Sequence, residues 1–109
     1  MQTALLIIAM LIFSASTSHE RSSRTHVVTI TALSFEPQSL EIDFRDTVLW
    51  INKSSRTHQI IDERGSFRSP VLTRHDSFYH VFRKSGVFAY YCKRHRKSGI
   101  KGTVRVSIH

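Results

Sequence analysis

Apolar and polar residues alternate along most of this chain, and the alternation has a period of two. Residues 39–44 place Leu40, Ile42 and Phe44 on one face and Ser39, Glu41 and Asp43 on the other, the pattern of a half-buried β-strand. Residues 25–31 are rich in β-branched side chains and alternate in part. Residues 47–52 form a mostly apolar run, which predicts a strand buried on both sides. Residues 58–61 predict a short strand. Residues 77–82 alternate aromatic with polar groups, residues 87–92 follow a Lys84-Ser85-Gly86 turn, and residues 102–108 close the chain. No stretch sustains a 3.6-residue apolar period, and there is no internal repeat or low-complexity segment. Some seven short strands divided by turn signals predict an all-β sandwich or barrel. Residues 64–74, with Gly65 and Pro70, form the longest expected loop.

The N-terminus differs in kind. Its apolar run, residues 4–13, is too short to cross a bilayer. Ser14, Ala15, Ser16 and Ser18 follow, which makes residues 1–18 a signal peptide and residues 19–109 a single domain. No Lys or Arg precedes the run, so a buried strand or an uncleaved anchor is the competing assignment. Export places the domain in the periplasm or outside the cell. All 16 Lys and Arg lie after residue 20, against 8 acidic residues, so the net charge of +8 belongs to that domain. Its partners are therefore expected to be anionic: an acidic redox protein first, an anionic membrane surface second. Nucleic acid is set aside, because the chain is exported and carries no binding motif. A monomer is expected.

Cys92 is the only cysteine. It cannot close an intramolecular disulfide, and in an oxidising compartment an unpaired thiol needs protection or a task. A buried inert thiol and an intermolecular disulfide are the plain alternatives. His95 follows three residues later and His58 precedes by 34. One Cys and two His form the ligand set of a blue-copper electron-transfer site, and the same set suits zinc, which is redox-silent.

The order of motifs carries a resemblance. Ser34-Phe35-Glu36-Pro37-Gln38-Ser39-Leu40-Glu41-Ile42, then Asp46-Thr47-Val48-Leu49-Trp50-Ile51-Asn52, then His58 follow one another. Lys84-Ser85-Gly86-Val87-Phe88-Ala89-Tyr90-Tyr91-Cys92-Lys93-Arg94-His95 comes next, and the series ends with Gly99-Ile100-Lys101-Gly102-Thr103-Val104-Arg105-Val106. This series resembles the cupredoxins of the plastocyanin and amicyanin kind over residues 25–109. The resemblance implies a Greek-key β-sandwich with one type 1 copper at one end, held by His58, Cys92 and His95. It also places Ile100 at the family's axial position, where isoleucine cannot coordinate.

Three departures stand out. Arg45 takes the place of the family's usual Gly before Asp46. Gln59 replaces a frequent Asn that can tie the two ligand loops together. The domain has no methionine, since Met1 and Met10 both lie in the signal segment. Of the remaining histidines, His26, His75 and His109 read as surface residues and His80 as packed among aromatics. His19 could chelate Cu(II) if cleavage made it the N-terminus.

The expected function is an electron carrier. The alternatives are a non-redox copper carrier and a metal-free cupredoxin-like recognition domain. An enzyme is not expected, because no second metal cluster or hydrolytic triad is spaced for one. The redox partner, the reduction potential and the roles of His19, His75 and His80 are not encoded in any motif.

Overall fold

The computed structural model describes residues 22–93 and 99–108. The signal-peptide assignment, His19, His95 and His109 lie outside these residues. Among the described residues there are eight strands: β1 (Thr25–Ile30), β2 (Phe35–Glu36), β3 (Ser39–Asp43), β4 (Thr47–Asn52), β5 (Ile60–Asp62), β6 (Ser77–Val81), β7 (Gly86–Cys92) and β8 (Lys101–Ser107). They form two four-stranded sheets, ordered β2-β1-β4-β6 and β3-β8-β7-β5. β1 runs parallel to β4 and β3 parallel to β8, and the other pairings are antiparallel.

The two-residue period decides which side chains meet between the sheets. Val28, Ile30, Val48 and Trp50 point inward from one sheet, and Ile42, Tyr90, Val104 and Val106 from the other. The Trp50 and Tyr90 rings meet edge-on across the gap, with centroids 5.3 Å apart. The result is a β-sandwich with one continuous core.

β4 departs from its expected double burial. Val48, Trp50 and Asn52 are buried, whereas Thr47, Leu49 and Ile51 are only half-buried. β4 is interior to its sheet, but among the described residues no third layer covers the outer face. Leu49 is flanked by its cross-strand neighbours Val27 and Tyr79, each of which remains about half exposed or more.

Two further differences concern short elements. β2 escapes the sequence pattern because two residues show no period. The strand expected at residues 58–61 begins instead at Ile60, and His58 forms an isolated bridge with Leu72. Residues 64–74 do hold no strand, but bridges His58–Leu72 and Ile61–Arg68 lay this loop along β5. His80 is packed, as expected, between the Phe67 and Phe82 rings at 4.8 Å from each. Its pKa is lowered: burial disfavours the cation and Arg83 adds to this, while Asp62 opposes both.

Arg45 lies in the left-handed region at φ 79, which explains why glycine suits this turn. The turn is held by Arg45 N–H donating to Phe82 O (2.8 Å) and Asp46 N–H donating to Asp43 O (3.0 Å). Below it, the buried Asp46 carboxylate accepts from Arg24 N–H (2.9 Å) and Asp43 N–H (3.1 Å) and pairs with His26 Nε2 (2.9 Å). His26 is thus a half-buried partner of Asp46 rather than a free surface residue. Burial raises the Asp46 pKa, but these hydrogen bonds outweigh it and leave the carboxyl below its ordinary value.

Candidate metal centre

Cys92 is the last residue of β7 and shares the inward face with Phe88 and Tyr90. Ile60 pairs with it on one side. Its N–H donates to Ile100 O at 2.9 Å, so the chain that leaves β7 returns alongside it before β8 begins. His58 comes from the segment joining β4 to β5. It is pinned by reciprocal backbone bonds with Leu72, N–H to O at 3.0 Å and O from N–H at 2.7 Å. These two frames bring His58 Nδ1 within 3.1 Å of Cys92 Sγ, and each residue is only 3 % exposed.

The loop around His58 has a polar core that the sequence pattern did not single out. Asn52 is fully buried. Its Nδ2 donates to Arg56 O (2.8 Å) and Leu72 O (3.0 Å), and its Oδ1 accepts from Ser54 N–H (2.9 Å). Ser54 Oγ in turn lies 2.9 Å from His58 Nε2. In sequence, Ser54 sits in the run Lys53-Ser54-Ser55-Arg56, which reads as a solvated turn, and nothing distinguishes it from exposed Ser55.

Among the described residues, the Gln59 side chain donates to Ser69 O at 2.9 Å. A main-chain tie joins the two candidate ligand segments, with Lys93 N–H donating to Gln59 O at 3.0 Å. A backbone bond is indifferent to the side chain at 59, so the departure from Asn leaves this tie intact.

Of the three predicted ligands, His58 and Cys92 are brought together, and His95 lies outside the described residues. Among those described, no three His, Cys, Asp or Glu side chains gather into one cluster. Ile100 is half-buried and packs its side chain against the core.

The family model described as copper binding proteins, plastocyanin/azurin family, matches residues 23–107. This chain belongs to that family. A plastocyanin from Scenedesmus fuscus is 31 % identical over 86 residues, covering 69 % of this chain and 88 % of the relative. An amicyanin from Paracoccus denitrificans is 26 % identical over 74 residues, covering 63 % and 56 %. Among solved structures, a purple cupredoxin from Nitrosopumilus maritimus superimposes with a TM-score of 0.67 at 34 % identity, covering 75 % of this chain and 99 % of that one. A reduced Cu(I) amicyanin variant gives a TM-score of 0.68 at 24 % identity, covering 76 % and 82 %, a likeness of fold alone. The cupredoxin architecture and family membership expected from the motif order are therefore found.

Proposed function

We propose that this chain is an exported type 1 copper protein that carries electrons between partners, with one copper ion held by His58, Cys92 and His95. The observation that carries the reading is the approach of a buried imidazole Nδ1 to a buried thiol at 3.1 Å, within a family of copper binding proteins. The donor set fits the metal. A soft sulfur and a borderline nitrogen suit copper in both oxidation states, and the bound ion would supply one-electron chemistry.

The chain's own part is to hold the donors still and dry. Cys92 is set by β7 pairing and by its bond to Ile100 O, and His58 by Leu72 and Ser54. Ligands fixed before the metal arrives need little rearrangement when its charge changes. Ile100 offers no donor atom. Without an axial thioether the oxidised ion is less stabilised, so a high potential is expected. The chain's likeness to a plastocyanin and an amicyanin, within a family of copper binding proteins, favours a carrier over an enzyme.

Exposed Lys53, Arg56, Lys93 and Lys101 belong to the segments that frame the ligands, and Arg94, Arg96 and Lys97 interleave with His95 in sequence. These cations support docking on an acidic redox partner, at a rate that falls as salt rises.

The deciding experiment is the visible and EPR spectrum of the copper-loaded domain, with Cys92→Ser beside it. An intense thiolate charge-transfer band that disappears in Cys92→Ser is expected. A colourless wild type, or a band that survives the substitution, refutes the assignment.

A further inference from the structure

The end of the sandwich away from Cys92 carries a groove that the copper reading does not use. β8 fixes the separation. Lys101 pairs with Tyr91, the neighbour of Cys92, whereas Ser107 O, at the other end of β8, accepts from Phe44 N–H at 2.9 Å. At about 3.3 Å per strand residue, these two ends lie about 20 Å apart. The groove beside Phe44 is lined by Ser23, Phe44, Arg45, Thr47, Val81 and Arg83.

Strand register brings these residues together. Thr47 pairs with Thr25 of β1 on one side and with Val81 of β6 on the other. The next row outward is Ser23, Arg45 and Arg83, and all three border the groove. Arg45 N–H donates to Phe82 O at 2.8 Å, which holds Arg45 beside the start of the Arg83 turn. The lining therefore holds two guanidinium groups and two hydroxyls, and no carboxylate. Among the described residues neither Arg45 nor Arg83 pairs with an acid. Asp43 and Asp46 border the neighbouring groove instead, and both are engaged: Asp46 by Arg24 N–H, Asp43 N–H and His26, and Asp43 by an interaction of its own.

A second observation points to the Arg45 side chain. Its backbone lies in the left-handed region at φ 79, where glycine would sit without strain. A residue held in a sparsely populated conformation is a pointer to function, and the side chain retained here is one of the two cations of the groove. Arg45 Cζ lies 5.4 Å from the centre of the Phe44 ring. A guanidinium stacked by its face keeps its in-plane N–H donors for a ligand.

We propose that the groove between Arg45 and Arg83 binds a phosphoryl group, carried either by free phosphate or by the headgroup of an anionic lipid. Two planar guanidinium forks match the oxygens of a tetrahedral oxyanion, and the Ser23 and Thr47 hydroxyls supply two further donors. A carboxylate has only two oxygens to set against this number of donors. Bound at this end, the ligand leaves the segments around Cys92 uncovered.

The test is a titration of the full chain with inorganic phosphate at constant ionic strength, followed by backbone amide NMR. Flotation with phosphatidylglycerol vesicles, against phosphatidylcholine vesicles, identifies the source. Saturable shifts centred on Ser23, Arg45, Thr47 and Arg83 are expected. Arg45→Gly and Arg83→Gln should each weaken binding about 10-fold, the lower end for a hydrogen bond to a charged group. Arg105→Gln, an exposed cation on the other sheet, should leave it unchanged. Arg45→Gly relieves the left-handed residue, so its urea midpoint should rise while its affinity falls, and lost binding cannot then be lost folding. Binding of phosphatidylglycerol vesicles that depends on Arg45 and Arg83 assigns the site to a lipid headgroup; phosphate binding without vesicle binding assigns it to a free phosphate. Three results overturn the proposal: no saturable, localised response to either probe, full affinity in Arg45→Gly, or an equal loss in Arg105→Gln, which would mark a response to net charge alone.

Discussion

At Gly102 the packing near the candidate site leaves no room for a Cβ. A Cβ built at Gly102 would lie 2.4 Å from Tyr90 Cζ and Oη and 2.9 Å from Cε1. Carbon atoms rest about 3.5–4.0 Å apart, so the ring or the strand would have to move by about 1 Å. The ring has nowhere to go. Tyr90 is 1 % exposed, and its ring is met by Phe35 at 4.7 Å, Trp50 at 5.3 Å and Phe67 at 6.2 Å. The same enclosure pushes the Tyr90 phenol up to about 12 by desolvation, which the Trp50 indole opposes only in part. Overpacking usually costs about 1–3 kcal/mol, and a rigid ring on a paired strand argues for the upper end. At about 4–8 °C per kcal/mol for a domain of this size, Gly102→Ala should lower the melting temperature of the metal-free protein by about 12–24 °C. The mechanism is tested by a double-mutant cycle in urea. Tyr90→Leu destabilises alone by removing the ring, but with the ring gone, adding Gly102→Ala should cost less than about 0.5 kcal/mol more. A Gly102→Ala melt within about 2 °C of wild type, or the same penalty in both backgrounds, would refute the reasoning. Because Tyr90 precedes Cys92 by two residues on the same face of β7, the displacement should also alter the copper spectrum.

Arg45→Gly should stabilise the fold by up to about 1 kcal/mol, because it relieves a left-handed residue at φ 79 at the loss of a cation–π contact of 5.4 Å with Phe44; a lower urea midpoint for the variant would contradict this. Asp46 has a folded pKa below its unfolded value of 3.8. The unfolded chain therefore binds more protons as pH falls past about 4, and the stabilisation present above that pH is lost as pH falls through the lower folded value. Asp46→Asn should cost about 1–3 kcal/mol at neutral pH, because it places an N–H or an uncharged acceptor before the donors of Arg24 and Asp43. It should also flatten the pH dependence of stability below 4, and an unchanged acid limb would show that Asp46 is not its source. Ile100→Met should supply an axial thioether, stabilise Cu(II) and lower the reduction potential; voltammetry giving an equal or higher value would mean that residue 100 does not face the metal.

The motif order and the two-residue period were enough for the all-β sandwich, for the strands at residues 25–30, 39–43, 47–52 and 86–92, and for singling out His58 and Cys92, which the fold brings within 3.1 Å of each other. These features are local or depend on fixed spacings, and they are written in consecutive residues. Three other features depended on neighbours distant in sequence. Thr47–Asn52 carries the same residues whether one face of its sheet is covered or both, so the half-burial of Leu49 and Ile51 appears only when the sheets are assembled. Arg45 reads as an ordinary turn residue until Phe82 O and Asp43 O hold the backbone in a left-handed conformation. Ser54 and Ser55 are chemically identical in the chain. Only the closure of the loop between β4 and β5, with Leu72 O anchoring Asn52 from 20 residues away, buries one against His58 and leaves the other in water. The amino-acid order supplied the candidate donors, and long-range hydrogen bonds decided how they are held.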